Sequence, residues 1–152
     1  NAAKAHDENG AVISTGIPIC PQISASGLWT TPTDMARFLI EMQNALRSSA
    51  SGVISPAVAK LVTTEVMDGF GLGWALFEPV GHMDAFSHGG ANTGTGGRVY
   101  ATIEGGNGIV LFGNGPNQIR EPVLAILRDR IVDAHGWRAP DVINKPDSER
   151  PK

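Results

Sequence analysis

His88 is followed directly by Gly89, Gly90 and Ala91, and five of the nine residues from 89 to 97 are glycine. Imidazole is the side chain whose charge changes nearest neutrality. Glycine lets a ligand approach the main chain closely, or lets the chain adopt positive φ. A strand running into such a stretch can offer bare N–H groups to an oxyanion, with the imidazole alongside. That is the equipment of acyl transfer, whose tetrahedral intermediate needs preorganised donors. The attacking group is missing: no serine is followed three residues later by lysine, and no Gly-x-Ser-x-Gly occurs. The run therefore reads in more than one way. It fits a glycine-rich turn beside a satisfied histidine. It also fits the oxyanion loop of an α/β-hydrolase, although the nucleophile elbow of that fold is absent.

Other candidates carry less chemistry. His82 and His88 have no third ligand at a metal spacing, so no zinc site is expected. Gly94-Thr95-Gly96-Gly97 lacks the Lys-Ser/Thr of a phosphate loop and reads as a turn shaping the rim of a site. Asn92 is placed to contact a ligand, or simply to accept an unusual φ. Asp84 and Glu104 read as solvated charges at strand ends, and Trp29 and Trp74 as core anchors. The single cysteine, Cys20, excludes an intrachain disulfide and reads as a small buried apolar residue. The net charge of −3 includes no Lys/Arg cluster, which argues against a nucleic-acid partner or an anionic membrane surface. No apolar run approaches membrane-spanning length.

The elements that must position these residues follow from periodicity. With 41% hydrophobic and 18% charged residues, the 152-residue chain has an ordinary globular composition of about one domain. Residues 1–26 are loop-like, with a turn at Asp7-Glu8-Asn9-Gly10. A helix is predicted over Pro32 to Leu46, with Thr31 as N-cap, Asp34 completing a capping box, and Met35, Phe38, Leu39, Met42 and Leu46 on one face. After a Ser-rich loop from Ser48 to Gly52, Ser55-Pro56 opens a second helix to about Thr64, with Val58, Leu61 and Val62 inward. The period then changes to that of strands: Gly71 to Phe77, Met83 to His88, Arg98 to Ile103 and Gly108 to Phe112. Glu104-Gly105-Gly106-Asn107 is a hairpin turn. The run Ile109 to Phe112 reads as a central strand covered on both faces. A last helix is predicted from Glu121-Pro122 to His135, stopped by Gly136, with Val123, Ile126, Leu127 and Ile131 as its apolar stripe. The tail over 138–152 reads as extended or disordered. Helices, an antiparallel sheet and a covering helix make the class α+β.

Ordered blocks along the chain resemble the C-terminal half of the serine β-lactamase-like hydrolases, closest to the class C β-lactamase, D,D-peptidase and β-lactamase-like esterase branch. They are Ala25 to Phe38, Phe70 to Trp74, His88 to Asn92 and Gly108 to Gly115, spread over roughly residues 5 to 137. Each block is weak alone, and the ordered set is specific. The resemblance implies an antiparallel sheet with packed helices, the C-terminal part of a β-lactamase/transpeptidase-like fold, over residues 1–137. It implies an acyl-enzyme mechanism without a cofactor. Of the family's three motifs, only the Lys/His-x-Gly wall is present, as His88-Gly89-Gly90. The sole tyrosine, Tyr100, is followed by Ala101-Thr102 and does not match the Tyr-x-Asn motif.

By the same resemblance, the Ala91 N–H is one oxyanion donor, and Gly89, Gly90 and Asn92 line the substrate. His88 stands where many relatives have lysine, and imidazole carries less positive charge than an ammonium at neutral pH. A small ester, amide or β-lactam is the expected substrate. Both missing motifs lie upstream in the family, and the chain opens on Asn1 rather than methionine. The expectation is therefore that residues 1–152 are the C-terminal portion of a longer hydrolase, inactive alone. Its partner would be the missing N-terminal part or a second copy covering the sheet. The competing reading is a non-catalytic ligand-binding or assembly module derived from the same fold.

Overall fold

A computed structural model describes residues 2–14, 21–47, 52–76, 80, 84–104 and 106–137. Cys20, His82, Met83, Gly105 and the 138–152 tail lie outside the described residues, as do residues 48–51 and 77–79. The elements are α1 (Ile23–Ser26), α2 (Pro32–Leu46), α3 (Pro56–Val62), β1 (Ala85–Asn92), β2 (Thr95–Thr102), β3 (Gly108–Asn114) and α4 (Asn117–Ala134). The strands form one antiparallel sheet in the order β1-β2-β3. Helices cover both of its faces, so the fold is the α+β arrangement that the periodicity predicts.

α2 begins where its caps dictate. Thr31 Oγ1 accepts the Asp34 N–H at 3.1 Å and donates to Asp34 Oδ2 at 2.9 Å, and Pro32 occupies the first turn. Its buried side packs Leu39, Met42 and Ala45 with Ala59 of α3 and with Phe86, Val99 and Ala101 of the sheet. Phe38 does not join that core and is 43% exposed. Gln43 sits on the buried face instead, its Nε2 donating to the Thr102 carbonyl at 2.9 Å and the Asn107 carbonyl at 2.8 Å. Those bonds tie α2 to the β2–β3 turn, where Gly106 has a φ of 74°. The other face of the sheet packs Ala85, Tyr100 and Ile109 against Val132 of α4.

Several expectations are corrected. Val58 and Leu61 of α3 are exposed, because the small Ala59 is the residue that meets α2. α4 begins at Asn117, more than a turn before Glu121-Pro122, and Pro122 lies inside it. Its stripe is also rotated: Val123, Ile126 and Leu127 are exposed while Arg120, Leu124 and Val132 are buried. The buried Arg120 guanidinium sets that rotation, since it donates from Nη1 to the Gly115 carbonyl at 2.8 Å and from Nη2 to Asn117 Oδ1 at 2.6 Å. Gly71 to Trp74 is not a strand. Gly73 at φ 82° turns the chain, and only Ala75 bridges, to Phe70 and to Ser87. β3 is an edge strand among the described residues rather than a central one, and its apolar run reflects cover from α2 and α4. Lastly, the loop-like N-terminal stretch contains the short α1.

Candidate active site

β1 does not stop at His88. It continues through both glycines to Asn92 and turns at Thr93-Gly94 into β2, with Gly90 paired to Gly97 and Ala91 to Gly96. The reversal needs Gly94, whose φ is 69°. Gly96 and Gly97 therefore lie in a strand and are not part of the rim turn the sequence predicts.

Within this hairpin the missing side chains are filled by neighbours. A Cβ on Gly89 would come within 2.1 Å of Arg98 Nη1, one on Gly96 within 2.5 Å of the Arg120 guanidinium, and one on Gly97 within 2.5 Å of the Phe112 ring. A Cβ on Gly90 would meet nothing within 4 Å. Of the two glycines in the motif, Gly89 seats an arginine and Gly90 faces open space. Arg98 is held there by Glu121, whose single oxygen Oε2 accepts from both Nε and Nη2 at 2.9 Å each. Glu121 Oε1 also accepts from Arg120 Nη2 at 3.2 Å. Sequence reasoning missed this Arg98–Glu121–Arg120 chain, because the three residues come together only across the sheet.

The direction of each peptide group in β1 follows from one bridge. Ser87 exchanges both backbone bonds with Ala75, its N–H donating at 2.8 Å and its carbonyl accepting at 2.9 Å. Its backbone groups therefore point away from β2. Backbone direction alternates along an antiparallel strand, so the N–H and carbonyl groups of Gly89 and Ala91 point the same way. Beyond Ser87 that edge is unpaired among the described residues. The Ala91 N–H is thus a free edge donor, and it belongs to an exposed residue.

Side chains alternate with the same period. His88, Gly90 and Asn92 share the face that carries Phe86, whereas Ser87 points to the opposite face. Ser87 is buried, and its Oγ donates to the Ala75 carbonyl at 3.4 Å. Adjacent in sequence, Ser87 and His88 are not a nucleophile–base pair. Trp74 sets the surroundings of His88. Its ring meets the imidazole edge-on at 6.2 Å and Phe86 edge-on at 4.8 Å, and it stacks with Phe38 at 6.3 Å. The exposed His88 ring thus rises from a strand anchored by Phe86 in the core. Asn92 Nδ2 reaches the Ser26 carbonyl at 3.5 Å, joining the hairpin tip to the end of α1.

A bare edge, an outward N–H beside an open glycine and an exposed imidazole lie together on the same strand. A match to the Beta-lactamase family model extends over residues 1–134. The chain belongs to the beta-lactamase family. That membership places it in a serine hydrolase superfamily and agrees with its helices packed on an antiparallel sheet. No curated protein and no solved structure matches the chain. Among the described residues of this beta-lactamase-family chain, no three His, Cys, Asp or Glu side chains cluster as metal ligands would. No described helix is long and apolar enough to cross a membrane.

Proposed function

We propose that this chain supplies the substrate-receiving wall of a serine hydrolase that works through an acyl-enzyme. The nucleophilic serine with its lysine, and the tyrosine base, come from sequence outside residues 1–152. The Ala91 N–H donates to the oxyanion together with the nucleophile's own N–H. Gly89 and Ala91 offer edge donors and acceptors to an extended ester, amide or β-lactam substrate, which docks as an added strand. Gly90 leaves room for that substrate. His88, on the same face, donates a hydrogen bond to the tyrosine oxygen or to a substrate carboxylate. The reaction forms a bond from the serine Oγ to the carbonyl carbon, expels the alcohol or amine, and then hydrolyses the ester to the enzyme.

The observation that supports this reading most strongly is the outward, unpaired Ala91 N–H beside the open face of Gly90. Proline at position 91 removes that donor without deleting a β1–β2 ladder bond, because the N–H points away from β2. In the parent hydrolase, Ala91→Pro should lower kcat on nitrocefin or p-nitrophenyl esters by on the order of 10²–10³. Far-UV circular dichroism should stay unchanged. Retention of full turnover would remove Ala91 from the oxyanion site. Residues 1–152 alone should hydrolyse neither substrate. A parent gene without a Ser-x-x-Lys and a Tyr-x-Asn-like triplet would favour the non-catalytic module instead.

A further inference from the structure

The N-terminal turn is strapped to the tip of the β1–β2 hairpin through two bonds to its backbone and one contact of the His6 imidazole. Residues 5–13 close on themselves, with Ile13 N–H donating to the Ala5 carbonyl at 2.9 Å and His6 bridging Val12. The strap meets the body at Gly94 and Asn114. The Gly94 carbonyl accepts the N–H of His6 at 3.3 Å and that of Gly115 at 2.8 Å. A Cβ on Gly94 would fall within 2.5 Å of the His6 carbonyl oxygen. Asn114 Nδ2 lies 3.0 Å from the Lys4 carbonyl oxygen and 3.2 Å from His6 Nδ1.

The Lys4 contact sets the direction of the Asn114 amide. The Lys4 carbonyl can only accept, so the amide must turn its NH₂ towards the strap. Both of its hydrogens are then directed at acceptors, and His6 Nδ1 must present its lone pair. With the amide so turned, the Nε2–H tautomer is the form of His6 that accepts from Asn114. Protonating His6 places an N–H against the Asn114 NH₂, donor against donor. Flipping the amide would relieve that clash but would set its oxygen against the Lys4 carbonyl. No arrangement of Asn114 satisfies both partners once His6 is charged.

We propose that His6 is a proton-sensitive latch: neutral, it holds the N-terminal turn on the hairpin tip, and protonated, it releases it. The charged groups around the two clefts that His6 lines are Asp7 and Glu8 on the strap and Arg120 on α4. Lys4 lies on the strap itself, and the hairpin tip contributes only the uncharged Asn92, Thr93 and Gly94. Asp7 already accepts the Asn9 and Ala11 N–H groups at 2.9 Å through Oδ1, and Arg120 is committed to Gly115, Asn117 and Glu121. Release frees the tip that follows Ala91 and Asn92. That consequence rests on the proposed function, whereas the latch itself does not.

The test uses the full chain and amide exchange followed by NMR. At about pH 7.5 the ¹⁵N shifts of His6 should report the Nε2–H tautomer, and the His6 amide, which bonds to the hairpin tip, should be protected. Lowering the pH to about 5 should reduce the protection factor of the His6 amide roughly five- to tenfold, the loss expected for one hydrogen bond and its replacement by a clash. His6→Gln should keep the neutral-pH protection, because its carboxamide oxygen can accept from Asn114, and should lose the pH response. An Nδ1–H tautomer at neutral pH would overturn the latch. So would undiminished protection at low pH, or an unchanged response in His6→Gln, which would assign the effect to Asp7, Glu8 or Arg120. None of these outcomes depends on hydrolase activity.

Discussion

Gly89→Ala and Gly90→Ala are nearly the same chemical change at adjacent positions, yet the structure requires only the second to stabilise the fold. Neither residue has a positive φ, so alanine fits both backbones. Replacing glycine where the native conformation tolerates alanine stabilises a protein by about 0.4–1 kcal/mol, through the unfolded chain. Gly90→Ala should show that gain in full, because its Cβ meets nothing within 4 Å. At Gly89 the new methyl would sit 2.1 Å from Arg98 Nη1 and 2.9 Å from its Cδ. The guanidinium is the movable end of a long side chain, so the backbone stays and Arg98 moves. It then loses its ion pair with Glu121, whose partners are 39% and 25% exposed. Solvent screening limits that loss to about 1 kcal/mol. Gly89→Ala should therefore come out near neutral, and about 1 kcal/mol less stable than Gly90→Ala.

Urea denaturation followed by tryptophan fluorescence reads the difference, since Trp74 packs edge-on against Phe86. With a slope of ~2 kcal/mol/M, the two midpoints should separate by about 0.5 M. In an Arg98→Ala background the Gly89 penalty should vanish, a coupling of about 1 kcal/mol between residues in contact. The reasoning fails if Gly89→Ala stabilises as much as Gly90→Ala, or if its penalty survives without Arg98. The stabilising change should also be the one that harms function, because a methyl at Gly90 projects from the face that carries His88.

Two further outcomes bear on the frame of the site. Gln43→Leu leaves the Thr102 carbonyl without its side-chain donor, whereas Asn107 still accepts the Thr102 N–H at 2.9 Å. One orphaned buried acceptor should cost about 2 kcal/mol in the same denaturation assay, and a neutral result would mean that α2 is not tied to the turn in this way. Pro122→Ala restores an N–H to the second turn of α4 and should raise stability by about 1–3 kcal/mol, visible as a higher Tm. A lower Tm would point to a helix that begins at Pro122 rather than Asn117.

Local signals in the sequence were reliable where neighbours one turn away settle the conformation. Thr31, Pro32 and Asp34 mark the start of α2, because a capping box is satisfied within four residues. Gly136, with a φ of 62°, follows α4 as its stop signal predicts. The position of His88 on a strand leading to bare backbone was legible for the same reason. Pro122 misled, because proline fits the first helical position in isolation. The buried Arg120 extends the helix by more than a turn and carries proline into its interior.

Composition and spacing yield an inventory: an imidazole, a pair of glycines, an alanine N–H and no Ser-x-x-Lys nucleophile, set among helices and antiparallel strands. It could not tell the glycines apart, since a missing side chain has no local signature of what fills its place. Only the tertiary structure assigned Gly89 to Arg98, Gly96 to Arg120 and Gly97 to Phe112, leaving Gly90 open. The outward direction of the Ala91 N–H likewise depended on a single bridge from Ser87 to Ala75, twelve residues away. Strand parity propagates that bridge to every later peptide in β1. The physical reason is the same in both cases: the site is made of surfaces and directions, and long-range pairing sets them.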